Sequence, residues 1–101
     1  MRTDEFYRFL TREYCGERSC LPLQKRAAND ALSRCRRIQD TLELNLDDKL
    51  DGRSSGIEKL ISKIELKAHL FNINGDERKG IASLKNAAKR YNDFISRDGE
   101  A

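Results

Sequence analysis

Apolar residues recur along this chain at the three- and four-residue spacing that keeps side chains on one helix face. In the opening stretch TDEFYRFLTREY, Phe6, Phe9 and Leu10 form such a stripe, with Tyr14 one turn on. Thr3 stands where an N-cap belongs, and Asp4 and Glu5 suit the positive end of a helix. Gly16 is placed to end this element, and CGERSCL then reads as a loop. Pro22 can open a second helix, because a first-turn residue needs no N–H partner. Ala28, Ala31, Leu32, Cys35, Ile38 and Leu42 follow it. At about 100° per residue they share an arc of roughly 120°.

The next stretch, LELNLDDKLDGRSSG, is acidic, with Leu44, Leu46 and Leu50 spaced to pin it onto a core. Gly52, Ser54, Ser55 and Gly56 read as breakers or caps. A third helix carries Ile57, Leu60, Ile61, Ile64 and Ala68, with Lys59, Lys63 and Lys67 every four residues away from that stripe. Asn74–Gly75 marks a turn after HLFNING. The last helix carries Ile81, Leu84, Ala87, Ala88, Tyr91, Phe94 and Ile95. The expected helices cover about 4–15, 22–42, 56–69 and 76–96. Apart from the short LFNIN, no stretch has the β-branched alternation of a strand. The fold class is therefore all-α: a small bundle of four or five helices in a single domain spanning 1–101.

Composition narrows the picture. With 101 residues, 38% hydrophobic and 37% charged, the chain builds one modest core under a heavily charged surface. No apolar run approaches bilayer-spanning length, and the N-terminus MRTDEFYRFL carries acids in place of the apolar centre of a signal peptide. A cytoplasmic protein with no membrane partner is expected. Three cysteines, Cys15, Cys20 and Cys35, suit reduced thiols better than a disulfide framework. His69 is the single histidine, and the Cys15–Cys20 spacing is not that of a zinc knuckle, so no metal or other cofactor is expected. No phosphate-binding glycine loop or nucleophile elbow is present. Without an activated nucleophile or an acid–base pair, no enzyme and no catalytic residue is expected.

Charge is informative through its distribution. Between positions 24 and 37 five bases, Lys25, Arg26, Arg34, Arg36 and Arg37, face one acid, Asp30, a balance of +4. Between 40 and 51 the acids Asp40, Glu43, Asp47, Asp48 and Asp51 face Lys49, a balance of −4. Between 76 and 97 six bases face three acids. Arg26, Arg34 and Arg37 fall opposite the apolar arc of the second helix.

Taken together, FYRFL, ANDALSRCRRIQDTLELNLD and LKNAAKRYNDFI resemble the N-terminal core-binding (SAM-like) domain of tyrosine recombinases, the phage integrase family. The resemblance runs from about Asp4 to Ile95 and includes the closing aromatic pair Tyr91 and Phe94. It departs from the family at Cys35, where an aromatic residue is common, and in lacking a catalytic domain. It implies a helical bundle that clamps duplex DNA without strand-exchange activity of its own, in a phage or mobile-element recombination protein. On that reading Lys25, Arg26, Arg34, Arg37 and, at the margin, Arg36 pair with phosphates, and Lys85, Lys89 and Arg90 add to them. Asn29 and Ser33 share the exposed face and could reach base edges. The tyrosines and phenylalanines read as packing residues, not as stacking platforms for bases. The alternative is a small helical protein–protein interaction module or homodimer, or a regulator of a nucleic-acid enzyme, with opposite patches meeting across an interface.

Overall fold

Among the described residues the chain forms helices α1 (Thr3–Arg8), α2 (Lys25–Leu42), α3 (Leu46–Lys49), α4 (Ser54–Leu66) and α5 (Glu77–Glu100). A π-helical turn, Phe9–Glu13, extends α1, and a 3-10 turn, Ala68–Phe71, follows α4. The computed structural model describes residues 2–13, 23–73 and 75–100, and no strand occurs among them. Tyr14, Cys15, Gly16, Cys20, Pro22 and Asn74 lie outside the described residues.

The core is continuous. The arc of α2, Ala28, Ala31, Leu32, Cys35, Ile38 and Leu42, is buried in full. It faces α5, whose Leu84, Ala87, Ala88, Tyr91 and Phe94 are also buried. Helix α4 closes the other flank of α5 with Ile57, Leu60 and Ile64. Small side chains at Ala28, Ala31, Ala87 and Ala88 let backbones approach closely.

Aromatic side chains hold the N-terminus to α5. The Phe6 ring meets Tyr91 edge-on at 4.9 Å between centroids and lies 5.6 Å from Phe94. Phe9 lies 5.6 Å from Phe94. Tyr91 and Phe94 are thus packing residues.

Several element ends differ from those expected. Thr3 does not cap α1. Arg2 takes that position, its carbonyl accepting from the Phe6 N–H at 3.0 Å, and Thr3 lies within the first turn. Arg2 is fixed there because its own N–H donates to the Tyr91 hydroxyl at 3.1 Å. Helix α2 begins at Lys25, not at 22: Gln24 is extended, and the Leu23 N–H is committed to the Leu10 carbonyl at 2.8 Å. Helix α4 begins at Ser54, so Ser54, Ser55 and Gly56 form its first turn and do not break it. Gly52 does turn the chain, with φ +83°. A Cβ there would sit 2.7 Å from Ser96 Cα, so only glycine fits against α5.

The acidic connection is itself structured. Asn45 caps α3 by accepting from the Asp47 N–H at 3.0 Å. Gln39 receives the chain leaving α2, its carbonyl accepting from Leu44 N–H and its side chain from Leu46 N–H, both at 3.1 Å. Leu46 and Leu50 are buried, and Leu44 is half-buried. Asn92 of α5 accepts from Gly52 N–H at 3.0 Å and donates to the Arg53 carbonyl at 3.4 Å.

Tyr91 completes the tie by donating to the Asp47 carboxylate, which also lies 3.8 Å from the Arg2 guanidinium. Burial, reinforced by Asp47, pushes the Tyr91 phenol up to about 12, against the opposing pull of Arg2. Two outcomes follow. Leu46→Ala should cost about 2–5 kcal/mol in urea unfolding, because the connector is part of the core and not a tether. Tyr91→Phe should cost about 1–2 kcal/mol at neutral pH. A folded pKa above the unfolded value of about 10 means that the Tyr91 contribution is intact below pH 10 and is lost as pH rises toward 12. The variant should therefore lose less stability than the parent between these pH values.

Candidate nucleic-acid interface

Helix α2 forms because its long side chains and alanines favour helix and because its one apolar arc has a partner in α5. It ends at Glu43, which adopts a left-handed conformation with φ 53°. With six of its positions turned inward, everything else is left at the surface. Lys25, Arg26, Asn29, Ser33, Arg36 and Arg37 are exposed, and Arg34 is half-buried. Asp30 and Asp40 share this outer side, so α2 carries five bases against two acids, a balance of +3. No ion pair within 4.0 Å joins these acids to the arginines, and Arg26, Arg34 and Arg36 have no hydrogen-bond partner among the described residues. Arg37 donates to the Phe71 carbonyl, which anchors the end of the 3-10 turn to α2.

Lys85, Lys89 and Arg90, the bases of α5 singled out above, do not share one face with α2. At about 100° per residue Lys85 and Arg90 stand on opposite flanks of α5. Lys85 turns to α4, where it pairs with Glu65. It lines a depression of about 350 Å³ there with Glu65, Ala68, Glu77, Arg78, Ile81 and Ala82. Lys89 is exposed and follows Lys85 by one turn. Arg90 is half-buried on the α2 side, close enough to act electrostatically on Cys35.

Arg34 and Arg37 border a groove of about 320 Å³ between α2 and the start of α5, with Asn72, Ile73, Gly80, Ser83 and Leu84. Asn72 and Ser83 were not marked by charge or motif. The signal for this flank was the run of small residues Gly80, Ser83 and Ala87 at helical spacing, which marks a close approach of neighbouring elements.

Cys35 has no exposed surface, and its thiol donates to the Ala87 carbonyl at 3.5 Å. Burial pushes it up to about 12, with Arg90 opposing. A thiol held so is a poor nucleophile. His69 is exposed in the 3-10 turn. Among the described residues no group of three or more His, Cys, Asp and Glu stands where it could hold a metal ion, and no helix is long and apolar enough to cross a membrane.

No family model matches this chain, and neither a curated protein nor a solved structure matches it. In the folded protein Cys35 should resist iodoacetamide and become labelled only on global unfolding, as mapped by peptide mass spectrometry. Labelling at a rate unaffected by stabilising conditions would contradict its place in the seam.

Proposed function

We propose that this protein is a DNA-binding helical domain that contacts the backbone of duplex DNA through the outer face of α2. One observation carries the reading: Arg26 and Arg36 stand exposed on the outer side of α2 with no carboxylate paired to them among the described residues. Guanidinium groups without internal partners are matched to phosphate oxygens, and such contacts give affinity without sequence information. Lys25 to Arg37 covers about 18 Å of helix, a length over which a duplex presents roughly ten phosphate charges. Lys25, Arg26 and Arg36 are the principal contacts in this reading, with Arg34 and Arg37 at the α5 side. Asn29 and Ser33 are exposed between them, and in this reading they reach base edges. In this reading Arg90 flanks the α2 surface, while Lys89 and Lys85 stand on the other side of α5, Lys85 engaged with Glu65, and contribute least. The resemblance to integrase core-binding domains supports the same partner, and a role in recombination of phage or mobile elements belongs to the proposal.

A second reading, a protein–protein interaction module, rests on Leu66 and Leu70, which are 78% and 43% exposed at the end of α4 and in the turn after it. Fluorescence anisotropy with random duplex DNA separates the two. Weak binding is expected, with affinity falling at a log–log salt slope of about −4 to −5 for the five phosphate contacts of α2. Replacing Arg26 and Arg36 together by Ala should weaken every sequence alike and flatten the slope by about two units. Both are exposed and free of internal hydrogen bonds, so the fold should be unaffected. A folded protein that ignores duplex DNA at low salt would shift the assignment to the protein partner.

A further inference from the structure

The groove between α2 and the start of α5 differs from the open face of α2 in three respects. It is concave, it gathers two guanidinium groups, and no carboxylate lines it. Arg34 and Arg37, one turn apart, form one wall, and Ser83 of α5 and Asn72 line the same space. The Arg37 side chain is held in place by the Phe71 carbonyl, so one wall is fixed in advance. Arg34 is half-buried yet has no hydrogen-bond or ion-pair partner among the described residues, and neither has Ser83. The nearest acids at the start of α5, Asp76 and Glu77, lie outside the lining, and Asp76 accepts from Lys79 N–H at 3.3 Å.

The floor is built for shape. Leu84 is buried beneath it, and Ile73 packs on Gly80 so closely that a Cβ at Gly80 would lie 2.6 Å from Ile73 Cγ2. The volume of about 320 Å³ is at the small end of ligand-holding cavities, about 300–1,000 Å³. Two guanidinium groups, that of Arg37 held by the Phe71 carbonyl, with a hydroxyl donor match a group carrying nearly two negative charges and three terminal oxygens. A phosphate monoester has about −1.5 to −2 at neutral pH, whereas a backbone diester has only one charge. We infer that this groove binds a phosphate monoester, borne by a free mononucleotide or by the phosphorylated end of a nucleic-acid strand. The site goes beyond backbone binding by α2 and does not require it.

The test uses the full chain and two pairs of probes: adenosine 5′-monophosphate against adenosine, and a blunt duplex with 5′-phosphates against the same duplex with 5′-hydroxyls. Amide NMR shifts on adding the monophosphate should map to Arg34, Gly80 and Ser83, and adenosine should leave them unmoved. If strand ends are the source, the phosphorylated duplex should bind about tenfold tighter than its hydroxyl twin. Ser83→Asp puts a carboxylate in the groove and should abolish both preferences while leaving hydroxyl-duplex binding within about twofold. Asn72→Asp, which puts a carboxylate at the exposed rim of the same groove, serves the same purpose should Ser83→Asp lower the thermal midpoint. Response to the monophosphate with equal duplex affinities assigns the groove to free nucleotides. Indifference to the 5′-phosphate in both pairs overturns the inference, and it does so without touching the backbone reading, which stands or falls with the hydroxyl duplex at low salt.

Discussion

The seam between α2 and α5 is the constraint on which the rest of the molecule depends. Six inward positions of α2, mostly small or aliphatic, lie against a stripe of α5 that includes Ala87 and Ala88. Side chains this small bring the backbones close enough for the Cys35 thiol to reach the Ala87 carbonyl. Once that arc is committed, rotation of α2 about its axis is fixed, because any turn of the helix would bury an arginine and expose an aliphatic side chain. Each lost methylene contact would cost about 0.8 kcal/mol, and an unpaired buried charge far more. The outward array of Lys25, Arg26, Arg36 and Arg37 is thus a consequence of core packing. The same seam decides which arginines of α2 border α5 and which point only to solvent.

A second set of contacts converts two loose ends into parts of the core. Tyr91 stands where Arg2, the connector residue Asp47 and the Phe6 ring converge. The Arg2 guanidinium also lies 4.7 Å from the Phe94 ring centroid. One acid of the connector is therefore spent on internal structure, and Asp51 accepts from the Arg53 N–H at 2.9 Å. The run of acids between 40 and 51 is in part a device for capping and tying, so its formal charge overstates the negative surface offered to a partner.

The helical periodicity of α2, α4 and α5 was legible because each has one apolar stripe, and the buried residues of α2 are the six that its spacing singled out. Leu46 and Leu50 were legible as pins, but the α3 turn between them was not. Four residues are too few for a periodic signal, and α3 exists through its Asn45 cap and the Gln39 side chain, which is a tertiary arrangement. The start of α2 was misplaced for a related reason. Pro22 is a permissive first-turn residue, and what decides the boundary is a hydrogen bond from Leu23 to the distant Leu10. The exposure of the α2 bases could be read from spacing alone. The separation of Lys85 from Arg90 was concealed by their closeness in sequence, since five steps along a helix carry a side chain about 140° around it.

That separation bears on how charge should be counted. A sum over a stretch treats Lys85 and Arg90 as equivalent, yet one is neutralised by Glu65 across α4 and the other stands beside a buried thiol. Potential at a surface depends on which charges remain unpaired and on how much solvent surrounds them. On the open side of α2, water and salt reach every guanidinium, and attraction decays over about 8 Å at physiological ionic strength. In the groove, Arg34 is half-covered and low-dielectric walls at Leu84 and Ile73 confine the field. A bound anion there would be screened less than one on the open face. Rising salt should consequently strip ligands from the outer face first, so the two surfaces can be told apart by their response to ionic strength even though Arg34 and Arg37 border both.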